Sequence, residues 1–489
     1  MTSISACNPN ELPLALIVGG GPAGLVMANL LQLYQNKFCL IEQRTSPSDL
    51  SKATGVHKST LKLLDKLNLI DKITERSIEL NGNNLYVERK LTQKIVFEQG
   101  RDLNDKNISI DQSILEEILQ NNLTSSNKDI RWGKKLVSFE QSEDSITATV
   151  QDVVTGVMDL ISARFLVAAD GTKSTVRKEM GILFEGVTTS EISFTFDAKV
   201  ITPFYTNEMA MFTKGLDRLV VVPLPEDLYK ISGRVSDSWV QLHRSKPYQE
   251  LTAIVLERSD IKIDPQTIRG VSFYHTASRI ATCMKDRRVF LIGDAAHVFF
   301  PAGGYGLNVA IEDGFSLAWR LNLVQKKIFN SVILDDFSRE RLENAQKIQA
   351  DSNQKKADSE KITSSTKKPV KEMQIYNQAA SDSSFVRVDA FFSINRLKES
   401  SRLVQKNSGF SLLVNTTSEE NLTALHQFSR QMQADSGLTF RVIQLINEET
   451  SLIPDETLCL IRPDNFAKIL PLSLDSVGKS LGCSNSLLG

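Results

Sequence analysis

Two stretches of the chain carry residues whose types and spacing could do chemistry. The first has glycines at Gly19, Gly21 and Gly24 and an acid, Glu42, 18 residues beyond the last of them. In that pattern the first glycine permits a tight turn, the second lets backbone approach a pyrophosphate, and the third lets a helix pack on a strand. Pro22 and Ala23 open the helix, whose N-terminal N–H groups and dipole favour the phosphates. Glu42 ends the apolar run Phe38 to Ile41, where a carboxylate can accept hydrogen bonds from an adenosine ribose. The second stretch places Gly293 and Asp294 at the end of a strand read over Val289 to Ile292, the end at which open α/β sheets bind ligands. The turn Pro301 to Gly306 follows, with Gly303, Gly304 and Gly306, and then a helix on which Leu307, Ile311, Phe315 and Ala318 share a face. Its N-terminus, at Leu307 and Asn308, offers N–H groups to something electron-rich, although an ordinary glycine loop capping a core helix has the same pattern.

The elements that must hold these residues follow from periodicity. Residues 14 to 44 read as strand, glycine turn, helix and strand, a βαβ unit for a dinucleotide. Leu12 to Asn36 carries no charge and is long enough to cross a bilayer, but three adjacent glycines and Pro22 in mid-run favour a buried strand and turn. Leu61, Leu64, Ile70 and Ile73 recur at helical spacing, and so do Ile114, Leu115, Ile118, Leu119 and Leu123, with Asp111 as N-cap and Gln112 in a first turn that can face a ligand. The segment 145 to 171 reads as two strands and ends in Asp170 and Gly171, for which a hairpin turn is the commoner meaning. Residues 190 to 275 alternate as a mostly antiparallel sheet, 345 to 385 are polar, and FSLLV, TFRVIQLI and TLCLI with a helix from Glu419 to Met432 close the chain as a small α/β domain.

Composition narrows the function class. The 489 residues exceed one ordinary core, and a net charge of −1 from 57 basic and 58 acidic residues predicts no broad footprint for nucleic acid or anionic membrane. Cys7, Cys39, Cys283, Cys459 and Cys483 are scattered without a CxxC pair or metal-ligand spacing, so no metal site and a reducing compartment are expected. The opening MTSISACNPN lacks a basic and an apolar region, which makes a cytoplasmic protein without stable membrane insertion the expectation.

Three pieces in order, GGGPAGL, AADGTKSTVR and RVFLIGDAAHVFFPAGGYGLNVAIEDGFSLAWRL, with SKATGVHKSTLKLLDKL and SRER, resemble the class A flavoprotein monooxygenases, the para-hydroxybenzoate hydroxylase-like family. The resemblance implies FAD as cofactor, NADPH or NADH as reductant, molecular oxygen and a small aromatic substrate, phenolic or polyketide-like, hydroxylated through a flavin C4a-hydroperoxide. It carries over as Glu42 at the adenosine ribose, with Gln43 and Arg44 among the cofactor-binding residues, Gln112 near the flavin, Asp294 at the ribityl chain and pyrophosphate, and Asp170 with Gly171 serving FAD and the nicotinamide. Lys52 stands where the family has arginine, and lysine cannot make the same fork to phosphate, although Arg44 lies near. Pro301, Gly304 and Tyr305 are catalytic candidates by loop position; His297 reads as a packed neighbour.

The implied fold is α/β, a Rossmann-like FAD-binding domain over 1–188 and 276–345, an antiparallel-sheet substrate domain over 189–275, a linker with helices over 346–400, and a small domain over 401–489. LCLIRPDNFAKIL resembles the thioredoxin-like domain of the phenol hydroxylase and aromatic polyketide hydroxylase branch, which leaves a homodimer contact open. Two rivals remain: an FAD-binding sensor or assembly factor without turnover, and a halogenase or epoxidase on the same fold. The halogenase motif WxWxIP is not seen, since Trp132, Trp239 and Trp319 stand apart.

Overall fold

A computed structural model of the chain describes residues 12–47, 54–97, 102–123, 130–202, 204–215, 217–243, 247–361, 386–387, 409–416, 418–436, 438–444, 457–464, 466–471 and 477. Apolar, β-branched runs form its central sheet, in the order Lys285–Asp286, Val289–Leu291, Phe165–Ala168, Ala15–Val18, Phe38–Glu42, Ile130–Trp132. Every neighbouring pair is parallel except the first, as runs buried on both faces require. The expected βαβ unit is present: the helix Pro22–Leu33 joins the strands Ala15–Val18 and Phe38–Glu42. Asn29 in that helix donates to Leu119 O at 2.9 Å, tying it to the helix Gln112–Asn121, and Gly314 lets the helix Tyr305–Gln325 approach it from the other side.

The chain leaves this sheet twice to build a second one, in the order His297–Val298, Arg269–Ala281, Phe184–Lys199, Leu228–Val235, Asp217–Leu224, Glu208–Lys214, Gly82–Val87, Lys90–Val96. It is antiparallel except where Gly82–Val87 runs parallel to Glu208–Lys214. It is therefore wider than the expected 189–275. Glu88 and Arg89 both take positive φ and turn a hairpin that then adds by a long-range pairing, sealed by Lys94 on Glu208 at 2.8 Å. One face buries Phe194, Phe196, Phe212, Leu219 and Ile231 against Leu251 and Val255 of the helix Pro247–Ser259. The opposite face carries Thr195, Asp197 and Lys230, and touches the dinucleotide fold where Arg269 bridges Asp197 and Asp111.

Two helices differ from expectation. The apolar stretch after Lys58 divides into Lys58–Asp65 and Ile70–Thr74 because Asn68 takes a left-handed φ of 58°. The helix of the second chemical stretch starts at Tyr305, two residues earlier than read, and is buried nearly all round rather than on one face. Near the C-terminus, Phe410–Asn415, the helix Glu419–Ser436 and the parallel strand Phe440–Gln444 are followed by the antiparallel Thr457–Ile461 and Phe466–Pro471. No helix among the described residues is long and apolar enough to cross a membrane.

This C-terminal sheet is locked to the cofactor fold by buried charge. Glu340 of the helix Val332–Lys361 accepts from Arg320 at 2.8 Å and from both Nη atoms of Arg462, which in turn grips Asp464. Burial raises the Glu340 pKa, but the two guanidinium groups outweigh it and hold the carboxyl at about 2. Because its folded pKa lies below the unfolded value of about 4.3, its stabilisation is complete above that value and is lost as pH falls toward 2, about 3 kcal/mol in all. Glu340→Gln should cost roughly 3–5 kcal/mol in chemical denaturation and flatten the acid limb of the stability curve over that window.

Candidate functional site

The glycine turn sits where three strand ends meet. A Cβ on Gly19 would lie 2.2 Å from Ala169 O, and one on Gly24 would lie 2.0 Å from Gly19 O, so both are required by the protein's own backbone. A Cβ on Gly21 would meet nothing within 4 Å. Gly21 is the N-cap of the helix Pro22–Leu33, with Pro22 at its first position and no side chain capping it, so the first-turn N–H groups are left for a ligand. Ala23 is buried behind it and packs beside Gly293.

Glu42 holds this turn from the next strand. Its Oε2 accepts from Gly20 N–H at 2.7 Å and its Oε1 from Arg44 N–H at 2.9 Å. Burial pushes the Glu42 pKa up, but these two N–H groups and the Arg44 guanidinium more than offset it and leave the pKa lowered. Two carboxylate oxygens offer about four acceptor positions, so the ribose reading and the turn are compatible. Gln43 beside it is exposed. Arg44 lies between Glu42 Oε1, at 3.2 Å, and Glu116 Oε2, at 3.9 Å, and Gln112 donates to Glu116 at 2.8 Å. Asp111 caps that helix by accepting from Ser113 N–H, as the spacing predicts. Glu116 is buried, although beside Glu117 in an amphipathic sequence it reads as a solvent-facing charge, so the sequence alone does not single it out. Lys52 lies outside the described residues.

The second motif meets the first across the sheet. Asp170 caps the short helix Thr175–Glu179 through the Thr175 and Val176 N–H groups, at 2.7 and 3.2 Å, rather than making a hairpin turn. Burial, against these hydrogen bonds, raises its pKa, and its Oδ1 is buried with no hydrogen-bond partner among the described residues. Gly171 borders open space. Thr172 Oγ1 donates to the exposed Asp294 at 3.3 Å, while the buried Arg177 donates to Thr172 O and to Ala295 O, clamping the two motifs together. Arg177 stacks over Phe184 at 3.8 Å. It stands in the quoted DGTKSTVR run, yet only the fold shows that it spans both motifs.

The glycine loop follows. Pro301 and Gly304 are exposed, Gly303 sits against the Tyr305 ring, and Gly304 N-caps the long helix at φ 64° with no side-chain cap. A Cβ on Gly306 or on Gly55 would meet only open space. Leu307 is buried in the core. Asn308 binds Gly55 O at 3.1 Å and Gly304 O at 2.8 Å and accepts from His57 N–H, fixing both sides of that space. Tyr305 is placed otherwise than a catalytic candidate requires: it is 2 % exposed, and its hydroxyl lies between Asp351 and Lys355 of the helix Val332–Lys361. His297 is buried too, as its reading as a packed neighbour anticipates.

A Cβ added at Gly21, Gly55, Gly171 or Gly306 would meet no described atom within 4 Å, and neither Gly21 nor Gly304 has a side-chain cap at the helix it opens; Gly293 between Ala23 and Ala310 and Asn308 on Gly55 O link these helix starts. Gly21→Val should fold, since no atom of the described residues lies within 4 Å of its Cβ, and should abolish dinucleotide binding. Gly24→Val should fail to fold, because only backbone lies in its way. Expression, circular dichroism and FAD titration distinguish the two outcomes. Asp294→Ala should weaken FAD binding by roughly 1–3 kcal/mol, the scale of hydrogen bonds lost to a charged acceptor, read as the dissociation constant.

A family model described as FAD binding domain matches residues 14–352. An uncharacterized aromatic compound monooxygenase of Bacillus subtilis is 29% identical over 330 residues, covering 67% of this chain and 65% of that protein. Rifampicin monooxygenase of Streptomyces venezuelae is 27% identical over 334 residues, 67% of each chain. The ternary complex of aklavinone-11 hydroxylase with FAD and aklavinone superposes with a TM-score of 0.77 at 20% identity, over 99% of this chain and 100% of that one, which establishes likeness of fold. With the glycine turn, its downstream acid and the glycine loop all inside the matched residues, the chain belongs to this FAD binding domain family.

Proposed function

We propose that the protein is an FAD-dependent monooxygenase that uses NADH or NADPH and molecular oxygen to hydroxylate a small aromatic molecule, phenolic or polyketide-like. The observation that carries this reading is the N-terminus of the helix Tyr305–Gln325, entered through Gly303 and Gly304 without a side-chain cap, tied to Gly55 by Asn308 and packed beside the glycine-turn helix where Gly293 meets Ala23 and Ala310. Bound FAD would supply electron transfer and oxygen activation; the chain supplies placement and electrostatics. Backbone N–H groups at Tyr305 to Leu307 and the helix dipole would favour negative charge on the reduced ring. Asn308 fixes the opposite wall at Gly55, and the polar face of the second sheet, with Thr195 and Ser232 hydrogen-bonded at 3.0 Å, supports a substrate side that orients oxygen-bearing rings. The names of the relatives, a rifampicin monooxygenase and an aromatic compound monooxygenase, support the substrate class.

For the C-terminal region, a parallel strand, helix and strand followed by an antiparallel hairpin support a thioredoxin-like module. The buried Cys459 favours a structural role for it over disulfide chemistry.

The test is NADH and NADPH oxidation by the flavin-replete protein across a panel of phenols and aromatic polyketides, with product mass raised by one oxygen. Failure of every compound to accelerate flavin reduction would replace this reading with FAD binding without turnover. Gly304→Val, strained at a left-handed φ, should keep FAD but slow anaerobic reduction by roughly tenfold or more and divert oxygen to hydrogen peroxide. Flavin content, stopped-flow reduction and peroxide yield measure it.

A further inference from the structure

Segments that must stay in register around the cofactor converge on one carboxylate outside the glycine turn and loop. Asp313, midway along the helix Tyr305–Gln325, is wholly buried. Its Oδ2 accepts from Gly293 N–H at 2.9 Å and from His297 Nε2–H at 2.7 Å, and its Oδ1 accepts from Arg341 Nε–H at 2.6 Å. An isolated buried carboxylate is costly, and these three donors are what make a charged one tenable there.

Each donor leads directly to part of the site. Gly293 precedes Asp294 and is wedged between Ala23 and Ala310, where a Cβ would lie 3.1 Å from each. His297 stacks on Phe299 at 5.0 Å and so stands behind the start of the glycine loop. Arg341 belongs to the helix Val332–Lys361, which further along gives Ser352 to Phe300 O at 3.1 Å and Asp351 and Lys355 to Tyr305. The glycine loop is therefore backed on both sides by elements that Asp313 ties together, and the turn bearing Asp294 hangs from the same oxygen as His297.

We propose that Asp313 is a positioning residue for both halves of the cofactor site: it sets the Gly293–Asp294 turn directly and the Phe299–Gly304 loop through His297 and Arg341. It acts on FAD only through these neighbours. The inference rests on FAD binding and not on hydroxylation, so it stands or falls separately from the proposed reaction.

The test uses the FAD-loaded full chain and reads the FAD dissociation constant, the midpoint potential of bound flavin and the melting temperature. Asp313→Asn should weaken FAD binding at least tenfold and shift the potential. His297→Phe, which keeps an aromatic ring against Phe299 but removes the donor, should shift the potential whether or not the Asp313 variant folds. His297→Gln, whose amide can still donate to Asp313, should restore it. Glu340→Gln serves as control, because it removes an acid partner of buried arginines away from the glycine turn and loop and should lower the melting temperature without moving the potential. An unchanged potential in His297→Phe, or an equal shift in Glu340→Gln, would overturn the proposal and return Asp313 to an ordinary core role.

Discussion

Everything in the cofactor fold depends on backbone crowding at the glycine turn. The first helix begins so close to the first strand that the position of Gly24 lies against Gly19 O, and Gly19 in turn lies against Ala169 O of the neighbouring strand. Side chains at either place would push the helix off the sheet and move its N-terminus away from the space beside Gly21. Packing therefore demands two of the three glycines for the protein's own sake, while a Cβ on the third, Gly21, would meet no described atom.

From that contact the site grows outward in two directions. Toward the second strand, Glu42 secures the turn with a buried carboxylate, and Arg44, Glu116 and Gln112 continue the polar line to the helix at the far wall. Toward the third strand, Asp170 caps a short helix whose Arg177 clamps the turn after Asp294. Two helices, Pro22–Leu33 and Tyr305–Gln325, begin at glycines without a side-chain cap, the kind of positive end that suits an anionic or electron-rich group.

Buried charge also decides how the remainder is attached. Trp319 meets Phe410 of the C-terminal sheet edge-on at 5.4 Å, with Arg320 and Arg462 over its ring and Glu340 and Asp464 balancing them. Such a network adds little net stability over an apolar contact, yet loss of one member is severe, so it specifies one arrangement of the two units.

The sequence by itself determined the βαβ unit, its acid, the helix cap at Asp111 and the glycine loop, because each is local: turn geometry, capping and the periodicity of apolar residues act within a few neighbours. It also carried the family resemblance, which the match over residues 14–352 establishes. Tertiary structure alone decided the rest. The hairpin at Glu88 and Arg89 joined the second sheet through a parallel pairing more than a hundred residues away, which no local pattern encodes. Tyr305 looked available beside its loop but turned toward Asp351 and Lys355, 46 and 50 residues further along the chain. Asp313 is an acid in an apolar helix until Gly293, His297 and Arg341 are brought to it from three other elements, and only long-range packing can make that meeting.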